Sequence, residues 1–88
     1  MYQWGLDGAA IPEFDDLSLE VRKTLTAFMD AVVIVDPLEY QHRPLEPAAS
    51  DGQLRTLYFG PHHEGLVTFL VHAPDELVLV VRIQWLGE

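Results

Sequence analysis

Three apolar runs in the last third of the chain constrain the fold most. Each run has the length of a β-strand, and only short turns separate them. The runs cover residues 54–59, 66–71 and 77–85, and the turns cover residues 61–65 and 73–76. Loops this short join neighbouring antiparallel strands, because a parallel crossover needs a dozen residues or more. The C-terminal third is therefore predicted to form an antiparallel β-meander.

Upstream of the meander, the hydrophobic period changes to that of a helix. Apolar side chains recur every three or four residues and form one stripe of an α-helix. They are Leu17, Val21, Leu25, Phe28, Val32 and Val35. Ser18 is the expected N-cap of this helix. Asp36 is expected to end it, because a residue before proline disfavours the helical conformation.

The other segments complete a small mixed domain. Residues 2–6 alternate apolar and polar, which predicts a first strand with Tyr2, Trp4 and Leu6 on one face. Residues 7–14 and 38–53 contain glycine and proline and are expected to be connections. The sequence thus predicts one α+β domain over residues 1–88. In it, an N-terminal strand and a helical segment pack on a twisted antiparallel sheet of three or four strands.

The chain is strongly acidic, with fourteen Asp and Glu against five Lys and Arg and a formal net charge of -9. Nucleic-acid binding takes most of its affinity from cations that neutralise phosphates, about 6–10 for a repressor-sized footprint. Five cations cannot supply that number, so we expect weak RNA contact. The acidic surface favours a basic protein partner or serves solubility alone. No apolar run reaches the roughly 18 residues of a membrane span. Without cysteines there are no disulfides, and a cytoplasmic location is expected.

Side-chain parity sorts the meander into two faces. The apolar set is expected to face the helix: Leu57, Phe59, Val67, Phe69, Val71, Leu79, Val81 and Ile83. The opposite set mixes polar and aliphatic residues: Thr56, Tyr58, Leu66, Thr68, Leu70, His72, Val78, Val80, Arg82 and Gln84. Such a mixture is neither a core nor an ordinary solvated surface, so this face is the predicted binding face.

Three sequence features resemble one known family. Asp36-Pro37 follows the helix, residues 51–55 read Asp-Gly-Gln-Leu-Arg, and hydrophobic strands cover residues 65–71 and 78–82. A helix-ending Asp-Pro, a Gly-x-x-Arg motif before the central strands and strands of this kind are similar to those of the RelE/ParE superfamily. These proteins, which include a HigB-like branch, are the toxins of toxin–antitoxin systems. The resemblance covers residues 17–85.

This resemblance implies the toxin component of a type II toxin–antitoxin module, which an antitoxin neutralises by wrapping around it. Such a toxin is either a metal-independent endoribonuclease acting on mRNA or, like ParE-like members, an inhibitor of a protein such as gyrase. The chain departs from ribonuclease members in its basic residues: Leu66 stands where an arginine is common, and residues 85–88 read Trp-Leu-Gly-Glu. The alternative is a non-catalytic relative that binds a protein through its open sheet face.

Metal-free RNA cleavage needs a base for the 2′-OH proton, a cation for the charged phosphorane and an acid for the leaving oxygen. Arg82 is the candidate phosphate clamp, and His62 or His63 is the candidate base or acid. Tyr58 has the same parity-predicted face as Arg82. The competing interpretation is that Arg82 solubilises its strand, Tyr58 is an ordinary sheet-face aromatic and the histidines are ordinary turn residues.

The candidate binding residues are Arg55, Thr56, Thr68 and Gln84. Arg55 has the parity of the core positions, which favours a structural role at the core rim over a catalytic one. The adjacent histidines would point in opposite directions in an extended chain, so no metal site is predicted. The sequence has no Gly-rich phosphate loop or Walker pattern, and no cofactor is predicted. The acidic residues Glu13, Asp15 and Asp16 are expected to cap the helix start.

Overall fold

The computed structural model describes residues 2–35, 43–44 and 53–87. The strands are β1 (Gln3–Leu6), β2 (Arg43–Pro44), β3 (Gln53–Phe59), β4 (Gly65–His72) and β5 (Leu77–Trp85). The helices are α1 (Ile11–Asp15) and α2 (Leu19–Phe28), and a π-helical turn, Met29–Val33, continues α2. Asp36-Pro37, Asp51-Gly52 and most of the predicted connection 38–53 lie outside the described residues.

The predicted α+β meander is confirmed, and the sheet extends beyond it. β3, β4 and β5 are antiparallel neighbours in a five-stranded sheet of order β1-β5-β4-β3-β2. β1 pairs with β5 in parallel, so the expectation of a purely antiparallel sheet of three or four strands is wrong at this edge. A parallel neighbour needs a long crossover. The chain between β1 and β5, which contains both helices, supplies it.

The segment 7–14, expected to be a connection, ends in a helix instead. α1 has Pro12 in its first turn. N–H groups in the first turn have no partner within the helix, so proline costs no hydrogen bond there. The Asp7 carboxylate accepts a hydrogen bond from the N–H of Ala9 at 3.1 Å, and the Asp7 carbonyl accepts one from Ala10 at 2.8 Å. These bonds form a tight turn that leads directly from β1 into α1.

The N-terminus of α2 is as predicted, but the second half of its buried stripe is not. The Ser18 hydroxyl caps the helix by accepting a hydrogen bond from the N–H of Val21 at 3.2 Å. The buried residues are Leu17, Val21, Leu25, Met29 and Val33. Phe28 is half-buried, whereas the side chains of Val32 and Val35 are 43% and 73% exposed.

The π-helical turn explains this change of phase. Residues spaced four apart drift by about 40° per step around an α-helix, because each residue turns the helix by about 100°. A π-helical turn holds more residues than an α-helical turn, since its hydrogen bonds run from residue i to i+5. The wider turn at Met29–Val33 therefore keeps Met29 and Val33 over the sheet. The Trp4 indole N–H also donates to the Asp30 carboxylate at 2.8 Å and links this turn to β1.

Alanine substitution separates the two helical phases. Met29→Ala is expected to lower the free energy of unfolding by about 2–5 kcal/mol, because it empties a fully buried site. Val32→Ala is expected to cost under about 1 kcal/mol, since much of that side chain already contacts water. Urea denaturation of the two variants measures both effects. A larger loss for Val32→Ala would contradict the phase set by the π-helical turn.

A β-bulge changes the predicted faces of β5. Thr68 pairs with Arg82 but Phe69 pairs with Val80, so Val81 is an additional residue on β5. Val78 and Val80 are fully buried, which makes their predicted place on the open face wrong. The expected core positions of Leu79 and Val81 are wrong for the same reason. Residues 77–81 are all aliphatic, so the sequence has no polar residue there to reveal the alternation.

The remaining core positions follow the prediction. Phe59, Val67, Phe69, Val71 and Ile83 are buried in the cluster that α2 covers, and Leu57 packs against it. In the described part of the chain, no helix is long and apolar enough to cross a membrane.

Candidate functional site

The candidate site is the sheet face turned away from the helices, which we call the open face. The register places these residues on it: Leu54, Thr56, Tyr58, Leu66, Thr68, Leu70, His72, Leu79, Arg82 and Gln84. Six of them are the polar residues predicted from side-chain parity, so that part of the prediction agrees with the strand register. The open face is continuous across the three long strands β3, β4 and β5.

A polar row crosses the middle of the open face. Thr56 on β3 pairs with Thr68 on β4, and Thr68 pairs with Arg82 on β5. The Thr56 hydroxyl donates to the Val67 carbonyl at 3.3 Å, and Thr68 is buried. Arg82 is exposed, so its guanidinium is available to a ligand. The predicted residues Thr56, Thr68 and Arg82 thus occupy one row.

Sequence analysis missed a second arginine position in this row. The backbone of Arg43 in β2 pairs with that of Thr56, so the row of paired positions runs from Arg43 to Arg82. Four strands separated by about 4.8 Å each place these two backbone positions about 14 Å apart. Arg43 lies in a segment with several prolines, where no alternating pattern indicates a strand. Only the tertiary pairing reveals its position.

The β-bulge decides where Arg82 points. Val78 and Val80 face the core, and strict alternation from them would also direct Arg82 toward the core. The additional residue Val81 reverses the alternation, so Arg82 is exposed and Ile83 is buried. Bulges are frequent beside functional sites because they redirect a side chain. The outward direction of Arg82 is therefore a specific feature of this strand.

The predicted aromatic and imidazole groups meet at one corner of the open face. The Tyr58 and His63 rings are stacked, with centroids 5.9 Å apart and an interplanar angle of 16°. His63 has a backbone φ of 57°, and Tyr58 is 52% exposed. His62 is exposed in the same turn. Two groups that can exchange protons thus lie together in contact with solvent.

Arg82 lies in the row next to this corner. Tyr58 pairs with Leu66, and Leu66 pairs with the half-buried Gln84, so these three residues form the row adjacent to the polar row that contains Arg82. Tyr58 and Arg82 are two strands apart and one row apart, which corresponds to about 12 Å between their Cα atoms. Both side chains are long, and a phosphate bound between them lies within their combined reach. The assignments of Tyr58, His62, His63 and Arg82 as catalytic stay predictions.

Glu64 organises the turn that carries the histidines. Its carboxylate accepts a hydrogen bond from the backbone N–H of His62 at 2.7 Å. This bond, followed by one from its own N–H and by the nearby imidazoles, lowers the pKa of the Glu64 carboxyl below the ordinary value of 4.5. The carboxylate lies at the surface of the turn, so the effect is local to it.

The Glu64 bond predicts a local pH dependence. Because the folded-state pKa is lowered, the carboxylate bond is present above about pH 4.5 and is lost as the pH falls through the lowered pKa. The NMR titration of the Glu64 carboxyl carbon is expected to have a midpoint below 4.5. The His62 amide proton should shift with the same midpoint, and Glu64→Gln should remove that shift. A midpoint above 4.5 would contradict the hydrogen bond.

Two other predicted residues have positions on the helix side of the sheet. Arg55 is half-buried and pairs with the buried Phe69, in agreement with the expected place at the core rim. Glu13 was expected to cap the helix start, but its carboxylate does not do so. Its carboxylate accepts a hydrogen bond from the N–H of Ile83 at 2.9 Å. β1 ends opposite Val80, so this part of β5 takes its partner from α1 instead.

The described residues contain no cluster of side chains that could ligate a metal ion. No three side chains among His, Asp and Glu come together there in a way that could hold an ion. His72 and Asp75 are close, with 3.1 Å between Nδ1 and Oδ2, but they form only a pair.

The fold as a whole is of the RelE type. No protein-family model matches the sequence, and neither does any curated protein. Among solved structures, the isolated E. coli RelE toxin matches with a TM-score of 0.77 and 16% identity, over 100% of this chain and 87% of that chain. The archaeal RelE–RelB complex from Pyrococcus horikoshii OT3 matches with a TM-score of 0.75 and 16% identity, over 99% and 97%.

A third structure, the intact E. coli RelBE toxin–antitoxin complex, matches with a TM-score of 0.72 and 17% identity, over 100% of both chains. These similarities span the complete β-α-β arrangement, including the N-terminal strand. They confirm the RelE/ParE-like fold that the sequence predicted.

Proposed function

We propose that this protein is the toxin component of a type II toxin–antitoxin module. The observation that carries the proposal is a RelE-type fold that spans 100% of this chain in two of the comparisons. Two of the similar structures are complexes of RelE with RelB. Their composition supports an antitoxin as the partner of this chain.

As a toxin, the protein would act through the open face. Arg82 would hold the scissile phosphate, because an exposed guanidinium can donate two parallel hydrogen bonds to phosphate oxygens. An imidazole of the 61–65 turn would take the proton from the 2′-OH, whose oxygen then attacks phosphorus. The 5′-oxygen leaves with a proton from a second group, for which Tyr58 is a candidate. No step in this scheme requires a metal or a cofactor.

The net charge sets a limit on how RNA binds. A formal charge of -9 repels RNA at long range, and protonation of all four histidines leaves the charge at -5. Contact with RNA therefore depends on local contacts at the polar row and not on long-range attraction. This limit separates the protein from ribonucleases that bind RNA through a broadly basic surface.

Weak binding of generic nucleic acid is accordingly an expected result. The free protein should bind single-stranded RNA or DNA with a dissociation constant above about 10⁻⁵ M at physiological salt, with a shallow salt dependence. Fluorescence anisotropy with labelled oligonucleotides measures both quantities. Lowering the pH to about 5.5 should improve affinity only slightly. Submicromolar affinity with a steep salt slope would overturn the inference from net charge.

One observation favours a second candidate function. Leu54, Leu70 and Leu79 are paired neighbours across the three long strands, and all are half-buried on the open face. The exposed Tyr58 lies on the other side of the polar row, so apolar surface flanks that row on both sides and suits contact with a protein. A target protein rather than RNA would then occupy the open face. Tyr58→Ala should weaken such a complex most, because aromatic anchors dominate protein interfaces.

Growth arrest is the test of the proposed toxin function. Induced expression of the protein alone in a bacterial host should stop growth, and co-expression with the antitoxin from a neighbouring reading frame should restore it. Mapping of RNA ends after induction separates the two mechanisms, since new cleavage sites appear only with a ribonuclease. Normal growth with abundant folded protein would overturn the proposal.

A further inference from the structure

A groove lies on the helix side of the sheet, away from the open face. It has a volume of about 450 Å³ and is formed where the helices meet the end of β5. Leu17, Val21, Ile83 and Trp85 provide its apolar lining, and Glu13, Asp16 and Ser18 provide its polar rim. None of these residues belongs to the candidate site described above.

The strand pairing explains why this space is left. β1 ends at Leu6, which pairs with Val80, so in the described part of the chain β5 continues beyond its outer neighbour. The side chain of Glu13 reaches across from α1 and accepts the hydrogen bond of the Ile83 N–H. A full strand would fill the region between α1 and β5, whereas one side chain leaves a groove beside it.

The rim of the groove is negatively charged. Glu13 uses one carboxylate oxygen for Ile83, which leaves the second oxygen for a ligand, and Asp16 is exposed. The neighbouring cation is Arg22, whose Nε donates to the Leu17 carbonyl at 3.1 Å and whose guanidinium carbon lies 6.0 Å from the Phe14 ring centroid. Arg22 is thus held against α1 by its contacts with Leu17 and Phe14.

Exposed apolar residues follow two of the groove residues directly in the chain. Leu19, next to the rim residue Ser18, is 59% exposed, and Leu86, next to Trp85, is 82% exposed. The apolar lining of the groove itself, formed by Leu17, Val21, Ile83 and Trp85, is what a partner could cover. A second copy of this chain is a poor partner, because each copy carries a formal charge of -9.

We propose that this groove binds a segment of a partner protein that carries an arginine or lysine next to apolar residues. The apolar side chains would lie on Leu17, Val21 and Ile83, and the cation would pair with Glu13 and Asp16. The assignment of that partner as the antitoxin rests on the proposed toxin function. The chemistry of the segment follows from the groove alone.

Selection from a displayed library of random 12-residue peptides tests the groove without knowledge of the partner. Peptides enriched on the folded protein are expected to combine Arg or Lys with Leu, Ile, Val or Met. The strongest one, made synthetically, should bind less tightly to the Glu13→Gln/Asp16→Asn double variant, by about 3- to 10-fold. The amide oxygen introduced by Glu13→Gln can still accept the Ile83 N–H, so the double variant keeps the bond that holds α1 to β5.

The adjacent carboxylate provides a matched control. Asp15→Asn removes the same charge one residue away, but Asp15 does not line the groove, so its effect should stay under about twofold. Binding should also change the fluorescence of Trp85, which a Trp4→Phe background isolates because the sequence has two tryptophans. Circular dichroism establishes that each variant is folded before its affinity is compared.

Five outcomes would overturn the proposal, four from the peptide experiments and one from the oligomeric state. The first four are no enriched peptide, enriched peptides without a basic residue, equal losses for Asp15→Asn and the double variant, and a Trp85 signal that does not respond. The free protein could also sediment as a dimer while the double variant sediments as a monomer. That result would assign the groove to a second copy of the chain instead. Peptide binding is measured independently of growth arrest, so failure of the toxin function and failure of the groove are distinguishable.

Discussion

Phe59→Ala is expected to lower the free energy of unfolding by about 3–5 kcal/mol. Phe59 is 1% exposed, and its ring lies 6.2 Å from the Phe28 ring and 5.7 Å from the Trp85 ring, measured between centroids. It therefore joins the helix to the end of β5. A domain of this size has a total stability of roughly 4–13 kcal/mol, so the variant is expected to lose between about a quarter of its stability and all of it.

The neighbouring residue on β3 is the matched control. Tyr58 lies on the open face and is 52% exposed, so Tyr58→Ala should cost under about 1 kcal/mol. Urea denaturation followed by circular dichroism measures both variants. A loss for Tyr58→Ala equal to that for Phe59→Ala would contradict the alternation of β3.

Gly65 provides a second test of the Phe59 position, because it pairs with Phe59 and lies against the Phe59 ring. A Cβ at Gly65 would be 2.4 Å from two ring carbons of Phe59, so Gly65→Ala should destabilise by about 1–3 kcal/mol. The Phe59→Ala variant removes the ring and leaves room for the added methyl group. The double variant should therefore lose less stability than the sum of the two single losses. Additive losses would mean that the two residues are not in contact.

Arg82→Ala is expected to abolish RNA cleavage and growth arrest if the protein is a ribonuclease. Loss of one charge-assisted contact to the transition state typically lowers the rate by about 10²–10³. Stability should change little, since Arg82 is exposed on the open face. Rates of cleavage of a model RNA, with circular dichroism of the same preparations, separate the two effects. Undiminished cleavage by Arg82→Ala would rule out this residue as the phosphate clamp.

Other cations provide the controls for this experiment. Lys23→Ala removes an exposed positive charge from α2, on the other side of the sheet, and should leave the cleavage rate unchanged. Arg43→Ala tests the second arginine position of the polar row. Separate His62→Ala and His63→Ala variants identify the imidazole that transfers a proton through a change in the pH–rate profile.

Local patterns in the sequence determined much of the fold. The lengths of the apolar runs and their turns determined β3, β4 and β5, because turns this short leave antiparallel pairing as the available arrangement. Ser18 marked the start of α2 because capping depends on residues three positions apart. Tyr58 and His63 lie near each other because only a short turn separates them in the chain. All of these features depend on neighbours along the chain.

Features that depend on distant contacts were decided by the tertiary structure. The bulge at Val81 and the π-helical turn at Met29–Val33 each shift a buried pattern by one residue. At both places neighbouring residues are apolar in pairs, such as Phe28-Met29, Val32-Val33 and Val80-Val81. Either phase therefore buries hydrophobic side chains, and the sequence cannot distinguish them. Packing against the opposite layer selects the phase that fills the core.

The open face and the groove also depend on contacts between distant parts of the chain. The parallel pairing of β1 with β5, the bond from Glu13 to Ile83 and the register of Arg43 with Thr56 each join residues far apart in the chain. The sequence by itself determined which residue types are available: few cations, two adjacent histidines and many carboxylates. The tertiary structure decided which of them share a surface, because hydrogen bonding and close packing between distant segments set their relative positions.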